Sequence, residues 1–349
     1  MLPTNKNQIS TAKAVREAAS TLSHAALLCV LVRSFCHGQA FVQQAGSGDV
    51  TFFAQHIEHN GVILADGRMG LGGHAYNRSL AVEVDYGLTS RLSLTAGIPY
   101  VFGKYTDPVD PPKPVSPRDA CRCLQGNLQD FGIAARYNIF TSRRLQLTPS
   151  ISTVIPSHSY VSRGESVAGR GLRETTFAVD ARRRLDFFSR NAFLSARYAY
   201  SAVEKVLDVP LNRSNLALEG DYDIRRSLGL PGIGDYLVRR RLSLSGILLL
   251  QRTHGGLRAP GPDGPSEFNT DDRKLERDRL FRENFLRLGG GASFFLGNTQ
   301  ILGSVIFHAT GTMTHSETIV TVGVSRPFSW RPRDYITPSS KKSSPSAVQ

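Results

Sequence analysis

Charged residues occupy alternate positions within short apolar segments of this sequence. Glu83 and Asp85, for example, share one face of a segment whose other face carries Val82 and Val84. The charged residues in such positions are Glu83, Asp85, Arg136, Asp180, Arg182, Arg197, Glu219, Asp221 and Arg287. A dry interior could not hold so many charges without partners, but a water-filled lumen can. We predict that these residues line a pore and set the field that acts on passing solutes.

The sequence leaves two arrangements of these charges open. In the first, carboxylates face arginines across the lumen and create a transverse field, as in diffusion pores. In the second, opposite charges pair with each other and fill a narrow barrel. We favour the narrow channel over the sealed barrel.

Catalytic chemistry has weaker candidates. Ser304 and His308 share one face of a predicted strand, an arrangement that an outer-membrane hydrolase could use. Spacing alone does not assemble a triad, and the sequence contains no Gly-x-Ser-x-Gly elbow. The run Gly289–Gly291 lacks the Lys-Ser/Thr of a phosphate loop, so we expect it to relieve crowding or bend a sheet. We predict no catalytic residue, no enzyme activity and no cofactor.

Metal chemistry is also weakly supported by the sequence. Cys121 and Cys123 lie in a Pro-rich loop without nearby histidines, so a metal site there would be incomplete. A small loop disulfide is the favoured interpretation. His56, His59 and His74 are spread around one predicted loop and form only a weak cluster. We therefore predict no bound metal.

Both ends of the chain are predicted to lie outside the folded domain. Basic residues precede a short apolar run at 25–32, and small residues end at Ala40, which is typical of a secretory signal peptide. We expect cleavage after Ala40. The Ser-, Pro- and Lys-rich end is typical of disorder. The predicted domains are a signal peptide at 1–40, a barrel at 41–330 and a disordered tail at 331–349.

Period-two alternation of apolar residues runs through the rest of the chain and indicates strands with one apolar face. Twelve such segments begin near residues 50, 80, 92, 131, 145, 175, 192, 216, 242, 286, 301 and 318. No run of about 18 apolar residues is present, which excludes a membrane-spanning helix. The predicted fold class is all-β: an antiparallel transmembrane up-and-down β-barrel of about 12 strands.

Connection lengths support the barrel independently. Short turns are expected near 88–91, 140–143, 185–190 and 297–299, with one longer periplasmic exception near 225–238. Longer external loops are expected near 59–77, 103–129, 156–172, 203–211, 253–282 and 311–316. This alternation is typical of outer-membrane barrels of Gram-negative bacteria. The segment 103–129 is the best candidate for a loop that folds inward as a plug.

The net charge of +13, from 42 Lys and Arg against 29 Asp and Glu, raises the question of nucleic-acid binding. The arginines are scattered through alternating segments and short turns, and no helix carries them on one face. We therefore expect solvated rims and a basic pore lining, with no nucleic-acid partner. Tyrosines at strand ends fit the aromatic girdle of a membrane barrel. They are Tyr86, Tyr100, Tyr137, Tyr198 and Tyr200.

One stretch carries a more specific resemblance. Residues 82–94 include Tyr-Gly-Leu-Thr followed by Ser90 and Arg91, the next strand runs to Pro99-Tyr100, and 126–133 is Gly-rich with an Asp. Over about 80–140 this resembles the outer-membrane transporter family named after the phenol meta-cleavage degradation pathway. The resemblance implies a barrel that passes small, in part aromatic, compounds, but it does not carry over a substrate.

These observations predict an outer-membrane channel for passive passage of small solutes. The alternative is a non-conducting structural or adhesion barrel whose external loops bind partners. Expected partners are outer-membrane lipid, the barrel-assembly machinery during biogenesis and the small-molecule solute. The sequence leaves the oligomeric state open.

Overall fold

The structure, a computed structural model, describes residues 41–69, 74–106, 121, 123–162, 169–224, 242–258 and 267–330. The predicted signal peptide, the predicted tail and most of the loop 103–129 lie outside the described residues. The strands are β1 Ser47–Ile63, β2 Ala75–Gly87, β3 Leu92–Tyr105, β4 Gln125–Leu128, β5 Phe131–Tyr137, β6 Phe140–Thr141, β7 Leu145–Ile155, β8 Glu174–Arg184, β9 Ala192–Val203, β10 Arg213–Asp223, β11 Ser243–Thr253, β12 Asn284–Leu296, β13 Thr299–Thr312 and β14 Thr314–Ser329.

Two short helices, α1 (Asp271–Leu275) and α2 (Arg277–Leu280), lie in the connection between β11 and β12. Within the part of the chain that the structure describes, no helix is long and apolar enough to cross a membrane.

The strands form one closed antiparallel ring. β1 pairs with β2 on one side and with β14 on the other, which joins the first strand to the last. β4, β5 and β6 lie end to end between β3 and β7, since β4 and β5 pair with β3 and β6 pairs with β7. Counted as one interrupted strand, they give a 12-strand barrel. The predicted fold class is confirmed.

The alternation places the apolar side chains on the outer surface of this ring. Leu80, Phe177 and Phe307 are 57%, 55% and 53% exposed on the isolated chain. Hydrocarbon would cover such a surface, as it does in other membrane barrels. The tyrosines expected in the girdle include Tyr137 and Tyr198, which are also exposed on this face. A closed barrel with this surface is consistent with the outer membrane.

The connections follow the predicted rhythm with one exception. We call the end with the longer connections external and the opposite end periplasmic. The prediction of a loop near 311–316 is wrong, because β13 runs to Thr312 and β14 begins at Thr314, with Met313 between them at a φ of 57°. The two strands pair with each other only as far as Phe307 opposite Thr318, and beyond that point they pair with β12 and β1. The threonines resemble a loop in the sequence but extend the ladder, where Thr312 pairs with Asn284 and Thr314 pairs with Ile63.

The glycine run in β12 relieves crowding at one position. A Cβ added to Gly289 would clash with the carbonyl oxygen of Val305 and lie 2.9 Å from Ile306 Cγ1. On the neighbouring strand, a Cβ added to Gly246 would meet nothing within 4 Å. Only the first glycine is therefore required by close packing between strands.

We predict that Gly289→Ala lowers the free energy of unfolding by about 1–3 kcal/mol, the usual cost of overpacking. Gly246→Ala is the matched control and should leave stability unchanged or slightly raised, because a side chain fits there and glycine weakens strands. Urea titration followed by heat-modifiable gel mobility measures both. Equal stability of the two variants would contradict the packing argument.

Candidate functional site

Four of the predicted lumen residues form ion pairs along the inner wall toward the periplasmic end. Arg197 on β9 donates from Nη1 to Asp180 Oδ2 on β8 at 2.8 Å. Arg182 on β8 reaches Asp221 on β10 at 3.4 Å. Asp180 and Asp221 are 4% and 3% exposed. Each pair offsets part of the desolvation cost of its buried carboxylate.

A third pair lies farther round the same periplasmic belt. Arg136 on β5 forms an ion pair with Asp85 on β2 and donates to Thr95 Oγ1 at 3.1 Å. Thr95 in turn donates to Asp85 Oδ1 at 3.1 Å. Glu83 and Glu219 share this inner face, and Glu219 is 2% exposed. The three pairs join strands at most two apart, so these three pairs run along the wall and do not cross the lumen.

A second charged belt lies toward the external end, and most of it was missed from the sequence. Arg287, the last of the predicted residues, contacts Glu317 Oε2 at 2.6 Å, and Glu317 Oε1 lies 3.2 Å from His59 Nδ1. Arg213 on β10 forms an ion pair with Glu174 on β8. These residues lie at strand ends, where alternation merges into the loops and gives a weak signal. That the predicted residues line a conducting pore stays a prediction.

The external belt is tied to the loops by one further pair. Arg170, in the β7–β8 connection, donates to Glu283 Oε2 at 2.5 Å, just before β12. Burial alone would raise the pKa of Glu283, but Arg170 and His315 together outweigh burial and hold the pKa below its usual value. The pair therefore anchors one external connection to the base of another.

An apolar cluster of the external connections, which we call the external cap, spans the mouth of the barrel. Its fully buried members include Leu280, Leu211 and Met313, at 0%, 2% and 2% exposure. The Phe268 and Phe281 rings meet edge to face at 5.8 Å. The members are Val62, Leu172, Val203, Val206, Val209, Leu211, Leu257, Phe268, Leu280, Phe281 and Met313. They come from opposite sides of the ring, so the cap lies across the external mouth of the lumen.

At the periplasmic end, residues 41–46 cross the lumen, and we call them the N-terminal strap. The Arg182 guanidinium lies 4.8 Å from the Phe41 ring and 4.7 Å from the Phe193 ring on β9. Because Arg182 lies on β8, five strands from β1 in the ring of 12, Phe41 reaches the wall almost opposite the strand that follows it. Cation–π attraction therefore holds the strap to a residue of the periplasmic belt.

The strap is anchored at its other end by backbone hydrogen bonds. The Gly46 N–H donates to the Gly87 carbonyl at 2.8 Å, and the Trp330 N–H donates to the Gly46 carbonyl at 3.0 Å. A Cβ on Gly87 would clash with the carbonyl oxygen of Gln44. The glycine of the Tyr-Gly-Leu-Thr motif is thus explained by the close approach of the strap.

The remaining sequence candidates do not assemble a catalytic site. Ser304 is buried, and neither ring nitrogen of His308 has a hydrogen-bond partner among the described residues. A histidine without an orienting acid lacks the arrangement of a hydrolytic triad. Cys121 and Cys123 are joined by a disulfide with their Cα atoms 5.1 Å apart. Residues 107–120 and 122 of that loop, the candidate plug, lie outside the described residues.

We predict that Glu283→Gln lowers the free energy of local opening of the external cap by about 1–3 kcal/mol at neutral pH. The effect is limited to this size because solvent partly screens Arg170. In the wild type, folding lowers the pKa of Glu283. The pair therefore stabilises the external cap fully above the usual pKa of glutamate, and this stabilisation is lost as the pH falls through the lower pKa of the folded protein. Hydrogen exchange of residues 254–258 and 267–283, corrected for intrinsic rates, measures both effects. Asp271→Asn removes an exposed pair with Lys274 and should change nothing. Unchanged exchange in Glu283→Gln would exclude the anchoring role.

We predict that Phe41→Ala opens the periplasmic end. Ser195 lies opposite Arg182 in the ladder, so a Ser195→Cys thiol reports access to this part of the lumen. Maleimide should label it severalfold faster when Phe41 is alanine. Phe187→Ala, in an exposed turn, is the control and should leave the rate unchanged. Equal rates in all three proteins would show that the strap does not restrict access.

Comparisons with known proteins show the fold. The chain matches no family model and no curated relative, so the family resemblance of the sequence stays a prediction. The structure is similar to the COG4313 outer membrane channel from Pseudomonas putida F1, with a TM-score of 0.60 and 14% identity over 84% of this chain and 100% of that one. It is less similar to the β domain of the Bordetella autotransporter BrkA, with a TM-score of 0.43 and 12% identity over 80% of this chain and 99% of that one. The chain thus has the fold of an outer-membrane β-barrel.

Proposed function

We propose that this protein is an outer-membrane channel for passive passage of small solutes, aromatic compounds among them. The observation that carries this proposal is the small size of the side chains on much of the inner wall between the two charged belts. An eight-strand barrel is just filled by its own side chains, and a 12-strand barrel is wider. Small side chains in a wider barrel leave space that a solute can use.

The wall formed by β2 to β10 shows this feature at mid-height. Added Cβ atoms at Gly97 and Gly132 would have their nearest neighbours at 3.5 and 4.0 Å, so close packing does not require these glycines. The small inward residues are Ser79, Ala81, Gly97, Gly132, Ala134, Ser150, Ser152, Ala178, Ala199 and Ala217. A barrel built only for rigidity would gain by filling this space with larger apolar side chains.

The facing wall is apolar and supports the inclusion of aromatic solutes. Inward side chains of β1, β11, β13 and β14 form one hydrophobic cluster at the same height. Its members are Ile57, Ile247, Leu249, Ile306 and Ile319. An apolar wall opposite small and polar residues suits a flat solute with one polar edge, because binding sites for small molecules combine apolar area with few polar groups.

Two further observations support a channel. The solved structure whose fold this chain shares is described as an outer membrane channel. The Tyr-Gly-Leu-Thr region resembles a transporter family associated with aromatic degradation. Passage through a lumen needs no catalytic step.

The non-conducting structural or adhesion barrel is the second candidate function. The external cap and the N-terminal strap favour it, since each lies across one end of the lumen. A solute that crosses the barrel therefore has to pass both of them.

Substitution at mid-height tests the channel. Ala134→Trp places an indole in the lumen between the belts and should reduce the single-channel current in planar bilayers severalfold. Ile133→Trp, at the next position, faces lipid with Ile133 50% exposed, and should leave the current unchanged. Heat-modifiable mobility confirms that both variants fold. A folded wild type without conductance at any voltage would support the structural barrel, and equal currents in both variants would exclude passage through this space.

A further inference from the structure

Two histidines and a carboxylate meet at the closing seam of the barrel. His59 lies on β1, and His315 and Glu317 lie on β14, with one ligand atom of each residue within 4.8 Å of the others. We propose that this seam cluster binds a divalent transition-metal ion such as Zn²⁺. Two imidazoles and one carboxylate are ligands that Zn²⁺ takes in proteins, with water in the fourth position.

The distances are close to those of a tetrahedral site. His59 Nδ1 and Glu317 Oε1 are 3.2 Å apart. Ligands about 2.0–2.1 Å from Zn²⁺ in a tetrahedron lie about 3.3 Å from each other. These two atoms are therefore already spaced as ligands. A movement of about 1.5 Å by the His315 ring, within the range of side-chain rotation, brings the third ligand to the same spacing.

Neighbouring side chains hold two of the ligands in place. Arg287 contacts the other oxygen of Glu317 at 2.6 Å, and its guanidinium lies 3.8 Å from the centre of the Phe285 ring. Such outer contacts orient the ligands of metal sites. Glu317 can thus bind an ion through Oε1 while Arg287 keeps Oε2.

Asn77 supplies the corresponding contact to His59. Its Nδ2 lies 3.3 Å from His59 Nε2, while its Oδ1 has no hydrogen-bond partner within the described residues. The two amide atoms of an asparagine are assigned from the hydrogen-bond network. In the flipped orientation, Oδ1 accepts from the Nε2–H of His59. That tautomer leaves Nδ1 free to bind a metal.

Local charge sets the kind of ion that the cluster accepts. Glu317 is flanked by Arg287, and Glu283 is paired with Arg170, so the carboxylates are already neutralised. Attraction by net charge is therefore weak, and binding depends on the imidazoles. Hard ions such as Mg²⁺ and Ca²⁺ prefer oxygen ligands and gain little here. We expect selectivity for Zn²⁺ over both.

The position of the cluster gives the ion a structural role. It joins the first strand of the ring to the last one beneath the external cap, where the His315 ring lies 6.2 Å from Phe281. An ion that binds the folded barrel and not the unfolded chain raises stability by mass action. Bound Zn²⁺ should therefore raise the temperature at which the barrel loses its heat-modifiable mobility.

Metal binding is tested on the refolded, chelator-treated protein without a histidine tag. Titration with Zn²⁺ followed by elemental analysis should give about one ion per chain, with a raised unfolding temperature, and Mg²⁺ should do neither. His59→Gln and His315→Gln should each lose the ion and the thermal shift. His254→Gln is the control and should keep both, since His254 contacts Ser214 on another part of the barrel.

Other outcomes would overturn the proposal. They are absence of Zn²⁺ from the wild type, or equal Zn²⁺ content in all three histidine variants. Circular dichroism and gel mobility of the metal-free variants establish that each one is folded. None of these measurements depends on conductance, so their failure is separate from failure of the channel function.

Discussion

In hydrocarbon, an unpaired backbone N–H or C=O costs several kcal/mol, so a sheet that crosses a membrane must close on itself. Here the closure is the antiparallel pairing of β1 with β14, which runs from Ser47 opposite Ser329 to Ile63 opposite Thr314. Every other feature of the molecule depends on this seam. It brings together residues from the two ends of the chain, it fixes the number of strands, and it separates a lipid-facing surface from an enclosed one.

Closure with 12 strands creates a lumen that the chain fills unevenly. The ends are occupied by two charged belts, whose members pair along the wall because partners one or two strands away are within reach. Between the belts, small residues such as Gly132 and Ala134 leave room, while Ile247 and Ile306 line the facing wall. Because oppositely charged residues pair within the belts, the fields of the paired groups partly cancel. In the proposed channel, shape and apolar contact would therefore select solutes more than charge would.

The sequence was sufficient to predict the fold because strand alternation is local. The period of two residues is visible within ten residues, and the alternate apolar residues of each strand identify its lipid-facing side. The partners of the charged residues are not local. His59 and Glu317 are 258 positions apart, and only the register of the closing seam brings them together. His59 was predicted to lie in a loop because the apolar alternation ends before it. In the structure β1 continues to Ile63 and includes His59. No sequence pattern predicts the contact of Phe41 with Arg182, since this contact depends on the width of the barrel.

The two closures of the lumen differ in what holds them. The external cap buries a cluster of large apolar side chains, and each fully buried one contributes about 1.5–3 kcal/mol. The N-terminal strap depends on one cation–π contact, worth about 0.5–2 kcal/mol, on the hydrogen bond from Gln43 to Asp49 and on backbone bonds near Gly46. Local opening occurs first in the segment that is held by the weaker contacts. The strap is therefore the easier of the two to displace, and in the proposed channel the cap and the Arg170–Glu283 pair that anchors it limit passage.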